Sequence, residues 1–117
     1  MKVGAQMQTS AAKYAFEVMN EIRQNYQKEI SVTCMAKRIG VSRTHLSHCF
    51  KLIYQKSIQD YITSYRMEKA QELLIHTQKK IKEIAFLVGY KDELYFSKVF
   101  ARLYGMSPSK YRKTMLT

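Results

Sequence analysis

Tryptophan is absent from this chain of 117 residues, proline occurs once and glycine four times. The single proline, Pro108, stands near the C-terminus, so nothing upstream of it is barred from helix by a missing N–H. An all-helical domain is the natural expectation. No apolar run is longer than Ile84–Val88, far short of the roughly 20 residues of a membrane span, and no apolar stretch follows Lys2 as a secretory signal would require. A soluble, cytoplasmic protein with no membrane partner is expected. Two cysteines, Cys34 and Cys49, are too few for a secreted disulfide framework and fit a reducing compartment. Acidic residues are also scarce, 9 against 20 Lys and Arg, a formal charge of +11. That excess excludes an ordinary neutral surface and points to a polyanion, nucleic acid before an anionic membrane. A hydrophobic content of 46% excludes a disordered basic tail.

Residues 1–10 show no periodicity and read as a tag or linker remnant. From Ala11 the positions Ala12, Ala15, Phe16, Met19, Ile22 and Tyr26 recur at three and four, predicting an amphipathic helix that ends near Lys28. Ser31 caps a short second helix with an inner stripe of Val32, Met35, Ala36 and Ile39, stopped by Gly40. Ser42 caps a third, lined by Leu46, Cys49, Phe50 and Ile53. Ser57 with Asp60 resembles a capping box and opens a long fourth helix through Ile62, Tyr65, Leu73 and Leu74. Ile81, Ile84, Ala85 and Val88 then form a fifth, stopped by Gly89. Asp92 caps a sixth with Phe96, Val99, Phe100 and Leu103 inside. Gly105 closes it, and Ser107 with Pro108 opens a terminal seventh containing Tyr111.

The second half repeats the first. At an offset of 49, Val32, Met35, Ala36, Ile39 and Gly40 pair with Ile81, Ile84, Ala85, Val88 and Gly89. One inserted residue shifts the offset to 50, where Leu46, Cys49, Phe50, Ile53, Tyr54 and Ser57 pair with Phe96, Val99, Phe100, Leu103, Tyr104 and Ser107. Each copy is a short helix, a Gly-containing turn and a capped longer helix, the arrangement of a helix-turn-helix. The expected organisation is a first helix-turn-helix subdomain over 11–56, a linker helix over 57–75 and a second subdomain over 76–117.

Charge follows the repeat. No acid lies between Ile30 and Gln59 or from Leu94 to Thr117, and these stretches coincide with the two units. A solvated face is the bland reading of any charge run; two runs on two repeat units favour nucleic acid. A linker helix of about 18 residues spans roughly 27 Å, of the order of the roughly 34 Å turn of B-DNA. Two recognition helices in successive major grooves are therefore expected of one chain. A-form RNA offers no groove wide enough for a helix.

Opposite the core stripe of the third helix lie Arg43, Thr44, Ser47 and His48. Arg43 suits guanine O6 and N7, Thr44 and Ser47 suit base edges or phosphates, and His48 can donate to an acceptor. The matching face of the sixth helix carries Glu93, Leu94, Ser97 and Lys98. Leu94 suits a thymine methyl and Glu93 cytosine N4, although a glutamate also repels phosphate. Lys37, Arg38, Lys51, Lys56, Lys80, Arg102, Lys110 and Arg112 are the phosphate candidates. His45 and Cys49 share a helical face, but without a metal-ligand spacing no metal or cofactor is expected, and Cys49 reads as a core residue. No nucleophile with a base, phosphate loop or carboxylate pair suggests an enzyme. The alternative to a sequence-specific binder is a nucleoid-type or RNA-binding helical protein without sequence preference.

The run Met35 to Ser42, then Leu46, Phe50–Lys51, Tyr61 to Leu74 with Arg66 and Ala70, Ile84–Ala85, Val88–Tyr90, Tyr95–Ser97, Phe100, Gly105, Ser107–Pro108 and Tyr111–Arg112 resembles the DNA-binding domain of the AraC/XylS family. The resemblance covers about residues 11 to 115. It implies a bacterial transcription regulator, in most cases an activator, with two helix-turn-helix subdomains on a long helix and double-stranded DNA as partner. RNA polymerase is a further partner it admits. By position it assigns base contact to Arg43, Thr44, Ser47, His48, Glu93, Leu94, Ser97 and Lys98, and packing to His45. Most members carry a separate sensor or oligomerisation domain, so the chain is expected to be the DNA-binding part of a larger regulator. Two positions depart from the family pattern. Gln55 stands where glycine is usual, placing a non-glycine residue in a left-handed turn. Lys80 stands where Ser31 caps the first copy, which should weaken the fifth helix by on the order of 1 kcal/mol.

Overall fold

The computed structural model describes residues 2–117, with side chains from Ser10 onward. Seven helices and no strand occur among the described residues: α1 (Lys2–Asn25), α2 (Val32–Ile39), α3 (Arg43–Tyr54), α4 (Ile58–His76), α5 (Ile81–Leu87), α6 (Glu93–Tyr104) and α7 (Pro108–Leu116). They form two compact units, one up to Thr63 and one from Ser64 to Thr117, with the boundary inside α4. Helix α1 thus includes residues assigned above to a terminal segment.

The cap residues act as their chemistry predicts. Oγ of Ser31, Ser42, Ser57 and Ser107 accepts from the backbone N–H three residues on, at 3.2, 3.0, 3.1 and 3.2 Å, and Asp92 accepts from Leu94 N–H at 2.9 Å. Each bond satisfies one of the orphan donors of a helix N-terminus. At Lys80 the deficit is partly made good from within the helix, because Glu83 accepts from the Lys80 N–H at 3.4 Å.

In the first unit α1 packs chiefly on α3. Its buried positions are Ala11, Ala15, Val18, Met19 and Ile22, a stripe in a different phase from the expected one. Phe16 is 58% exposed and Ala12 is exposed as well. The large side chain at Phe16 drew the predicted stripe toward it, whereas the interior takes the small residues Ala11 and Ala15, which permit close approach of α3. Leu103, expected inside, is likewise exposed, while Phe96, Val99 and Phe100 are buried. Helix α4 buries Ile58 and Ile62 in the first unit and Met67, Ala70 and Leu74 in the second. The five-residue step from Ile62 to Met67 breaks the helical period, so α4 has no single apolar stripe.

The repeat extends beyond the helix-turn-helix. Phe50, Tyr54 and Tyr61 form a ring cluster with centroids 4.8, 5.7 and 5.9 Å apart, Phe50 and Tyr61 edge-on at 83°. Fifty positions on, Phe100, Tyr104 and Tyr111 form the same cluster at 4.7, 5.3 and 6.2 Å, Phe100 and Tyr111 at 76°. At the other end, the spacing of Ala15, Val18 and Ile22 recurs in Met67, Ala70 and Leu74. Each unit is therefore four helical segments, and α4 is the last of one and the first of the next.

Both longer helices of the repeat end in the left-handed region, α3 at Gln55 (φ 61°) and α6 at Gly105 (φ 76°), each N–H returning to the carbonyl four residues back. The left-handed conformation costs a non-glycine residue about 1–2 kcal/mol, and glycine's extra freedom when unfolded gives back about 0.5–1. Gln55→Gly, which also removes the 3.0 Å bond from Gln55 Nε2 to Leu52 O, should raise stability by up to about 1 kcal/mol. A Cβ at Gly105 would meet nothing within 4 Å, so Gly105→Gln should lower stability by about 1 kcal/mol from conformation alone. Urea denaturation of the two variants measures both.

Candidate nucleic-acid interface

The expected readers of each unit lie on one helix face. On α3, burial of Leu46, Cys49 and Phe50 turns Arg43, Thr44, His48 and Lys51 outward, with Ser47 half-buried between them. A shallow concavity of about 430 Å³ is lined by Ser47, His48, Lys51, Leu52 and Gln55. On α6, burial of Phe96, Val99 and Phe100 turns Glu93, Leu94, Lys98 and Arg102 outward, and Ser97 is half-buried like its counterpart Ser47. Leu94 is 66% exposed, since Phe96, Val99 and Phe100 already fill the inner face.

Two neighbouring side chains were not among the expected readers. Tyr95 is exposed beside Leu94, its ring 5.9 Å from that of Tyr90. The offset of 50 pairs it with His45, which is also exposed, and that pairing was the available signal. The His45 ring lies edge-on to Tyr14 at 6.0 Å, and its Nε2 is 3.5 Å from Cys49 Sγ.

The two helix N-termini differ in charge. The first turn of α3 contains no acid, so its exposed N–H groups and macrodipole remain available to an anion. Asp92 and Glu93 stand at the start of α6 and offset the same dipole.

The phosphate candidates divide by their partners. Lys37, Lys51, Lys80, Arg102 and Lys110 have exposed side chains, and so does Lys56, which has an interaction within the chain. Arg38 is exposed but bound to Glu21 of α1 at 3.0 Å. Arg112, expected at a phosphate, is half-buried and committed elsewhere. Its Nε donates to Leu74 O at 2.9 Å and one Nη to Thr77 O at 3.3 Å, satisfying carbonyls at the end of α4.

A family model described as a helix-turn-helix domain matches residues 35–114. The chain belongs to the AraC/XylS family. It is similar to the lactose operon transcription activator of Staphylococcus xylosus, 45% identical over 91 residues that make up 78% of this chain and 33% of that protein. The chain thus spans about a third of that relative's length. Among solved structures it resembles the C-terminal domain of AraT, a response regulator from Geobacillus stearothermophilus, with TM-score 0.83 and 34% identity, covering 86% of this chain and 84% of that one. It shares the fold of the DNA-binding domain of AdpA, determined in complex with a target DNA, at TM-score 0.78 and 23% identity over 86% of this chain and 90% of that one. Gln55 adopts the left-handed backbone that glycine adopts at the matching Gly105.

Two consequences can be measured. Arg112→Ala should cost about 1–2 kcal/mol of stability by orphaning the α4 carbonyls, whereas Lys110→Ala should leave the thermal midpoint unchanged. Burial pushes the Cys49 thiol up, so the folded chain keeps that proton where the unfolded chain has lost it. The contribution is whole below the ordinary thiol pKa of about 8.5 and is lost as pH rises through and beyond it. Tyr104, raised by burial and then by Glu68 and Tyr111, acts in the same direction at higher pH. Thermal melts between about pH 7 and 10 should therefore show a shallower alkaline loss for Cys49→Val than for the parent chain.

Proposed function

We propose that this chain is the DNA-binding part of a larger transcription regulator, an activator, that recognises a specific double-stranded sequence in the bacterial cytoplasm. Each of α3 and α6 reads its own stretch of major groove. The observation that carries the reading is the pair of repeated helices, each with an intact inner face and an outward face left free of the core, in a strongly basic chain whose acids are missing from 30–59 and from 94–117.

In this reading Arg43 forks onto a guanine, Thr44, Ser47 and His48 contact neighbouring base edges, and Glu93, Leu94, Ser97 and Lys98 do the same from α6. Lys37, Lys51, Lys56, Lys80, Arg102 and Lys110 hold the phosphates and set the register without reading sequence. Arg112 holds the end of α4 instead. The lactose operon activator among the relatives supports control of an operon, with RNA polymerase recruitment as the route and a sensor or oligomerisation domain elsewhere in the full regulator.

Selection of bound duplexes followed by anisotropy titration at several salt concentrations tests the proposal. Five to eight phosphate contacts give a log–log slope of about −5 to −7. Arg43→Ala should cost about 1–3 kcal/mol and relax preference at one base pair. Equal affinity for random duplex or for single strands would replace this reading with the non-specific nucleoid-type or RNA-binding one.

A further inference from the structure

Helix α5 needs Ile84 and Ala85 for its core contacts, followed by Val88, and all three are buried. The two residues between them are not. Phe86 is 72% exposed and Leu87 is 40% exposed. Together with Tyr90 they floor a cavity of about 380 Å³ whose rim carries Lys79, Lys82 and Lys91. The repeat supplies a control from the same chain. At the offset of 49 the counterparts of Phe86 and Leu87 are Lys37 and Arg38, both exposed and charged. A position pair that is cationic in one unit and apolar in the other is not dictated by the fold.

The rim charge indicates what would cover the patch. Lys79, Lys82 and Lys91 have no acidic partner among the described residues. The two acids at the rim are accounted for: Glu83 accepts from the Lys80 N–H at 3.4 Å, and Glu93 occupies the first turn of α6, where the helix dipole favours it. What remains is an apolar floor with unpartnered positive charge. Phosphate would use the lysines and gain nothing from Phe86 and Leu87. A second copy in a two-fold contact would bring the same lysines against each other.

We propose that the Phe86–Leu87 face is a docking surface for an acidic amphipathic segment of a protein partner. Such a segment seats one or two large apolar side chains on Phe86, Leu87 and Tyr90 and directs carboxylates at the lysine rim. This surface adjoins the outward face of α6 at Glu93, which stands on its rim, and shares no residue with that of α3.

The test uses a fluorescein-labelled helical peptide of about 14 residues with Phe and Leu four apart on one face and Asp and Glu elsewhere. A control peptide of the same charge carries Ala at both apolar positions. Saturable binding of the first peptide, about tenfold weaker binding of the control, and a similar loss in Phe86→Ser are expected. Phe16→Ser, which removes an exposed phenylalanine from the other unit, should bind as the parent does. Matching thermal midpoints of the two variants establish that both are folded. Equal binding of the two peptides, or equal loss in the two variants, would reduce the effect to bulk charge and overturn the proposal. So would a weaker complex of Phe86→Ser with duplex DNA, which assigns the face to nucleic acid, or a dimer of the parent chain that Phe86→Ser abolishes.

Discussion

The contact on which each unit depends is the packing of one phenylalanine of the recognition helix against two tyrosines. Phe50 and Phe100 are wholly buried, and each meets a tyrosine four residues on and a second from the next helix. Edge-on and tilted ring pairs of this kind contribute about 0.5–1.5 kcal/mol each beyond the area they bury. Their mechanical effect matters more here. A recognition helix held only by its turn is free to roll about its axis, and a roll of one residue is about 100°. Clamping Phe50 and Phe100 from the far side fixes which of Arg43, Thr44, His45, Glu93, Leu94 and Tyr95 face outward.

That clamp explains the economy of the chain. The second tyrosine of each cluster belongs to the helix after the recognition helix, α4 for the first unit and α7 for the second. Helix α4 also supplies Met67, Ala70 and Leu74, the counterparts of the α1 stripe, to the second unit. One helix closes one core and opens the next. An amphipathic pattern serves one core only, and for that reason the sequence of α4 lacks a single stripe.

The elements of this fold were legible wherever local chemistry decides. Serine and aspartate caps, left-handed turns and most buried positions of α2, α3 and α5 follow from side-chain type and period, with Ile39, Ile53 and Ile81 of the expected stripes only half-buried. Phase was less secure. A stripe can be drawn through Phe16 or through Ala11 and Val18, and only the close approach of α3 selects the second. The commitment of Arg112 was hidden for a different reason: its acceptors are backbone carbonyls 35 and 38 residues away, which no side-chain pattern records. The outward faces of α3 and α6 were legible because they are what remains once the core positions are assigned. Tyr95 was not among the expected outward residues, although the offset of 50 pairs it with His45.

The acids at the start of α6 give the two units different electrostatic characters. Anion attraction at a helix N-terminus rests on uncompensated N–H groups, which α3 retains and α6 shares with Asp92 and Glu93. Counterion release is the part of nucleic-acid affinity that salt erodes, whereas base contact is far less sensitive to it. This difference acts within about one helical turn, whereas net charge hardly differs between the units: 9 Lys and Arg against 4 Asp and Glu up to Thr63, and 11 against 5 from Ser64. The asymmetry is local to the start of each helix, where an approaching anion meets open N–H groups on α3 and carboxylates on α6.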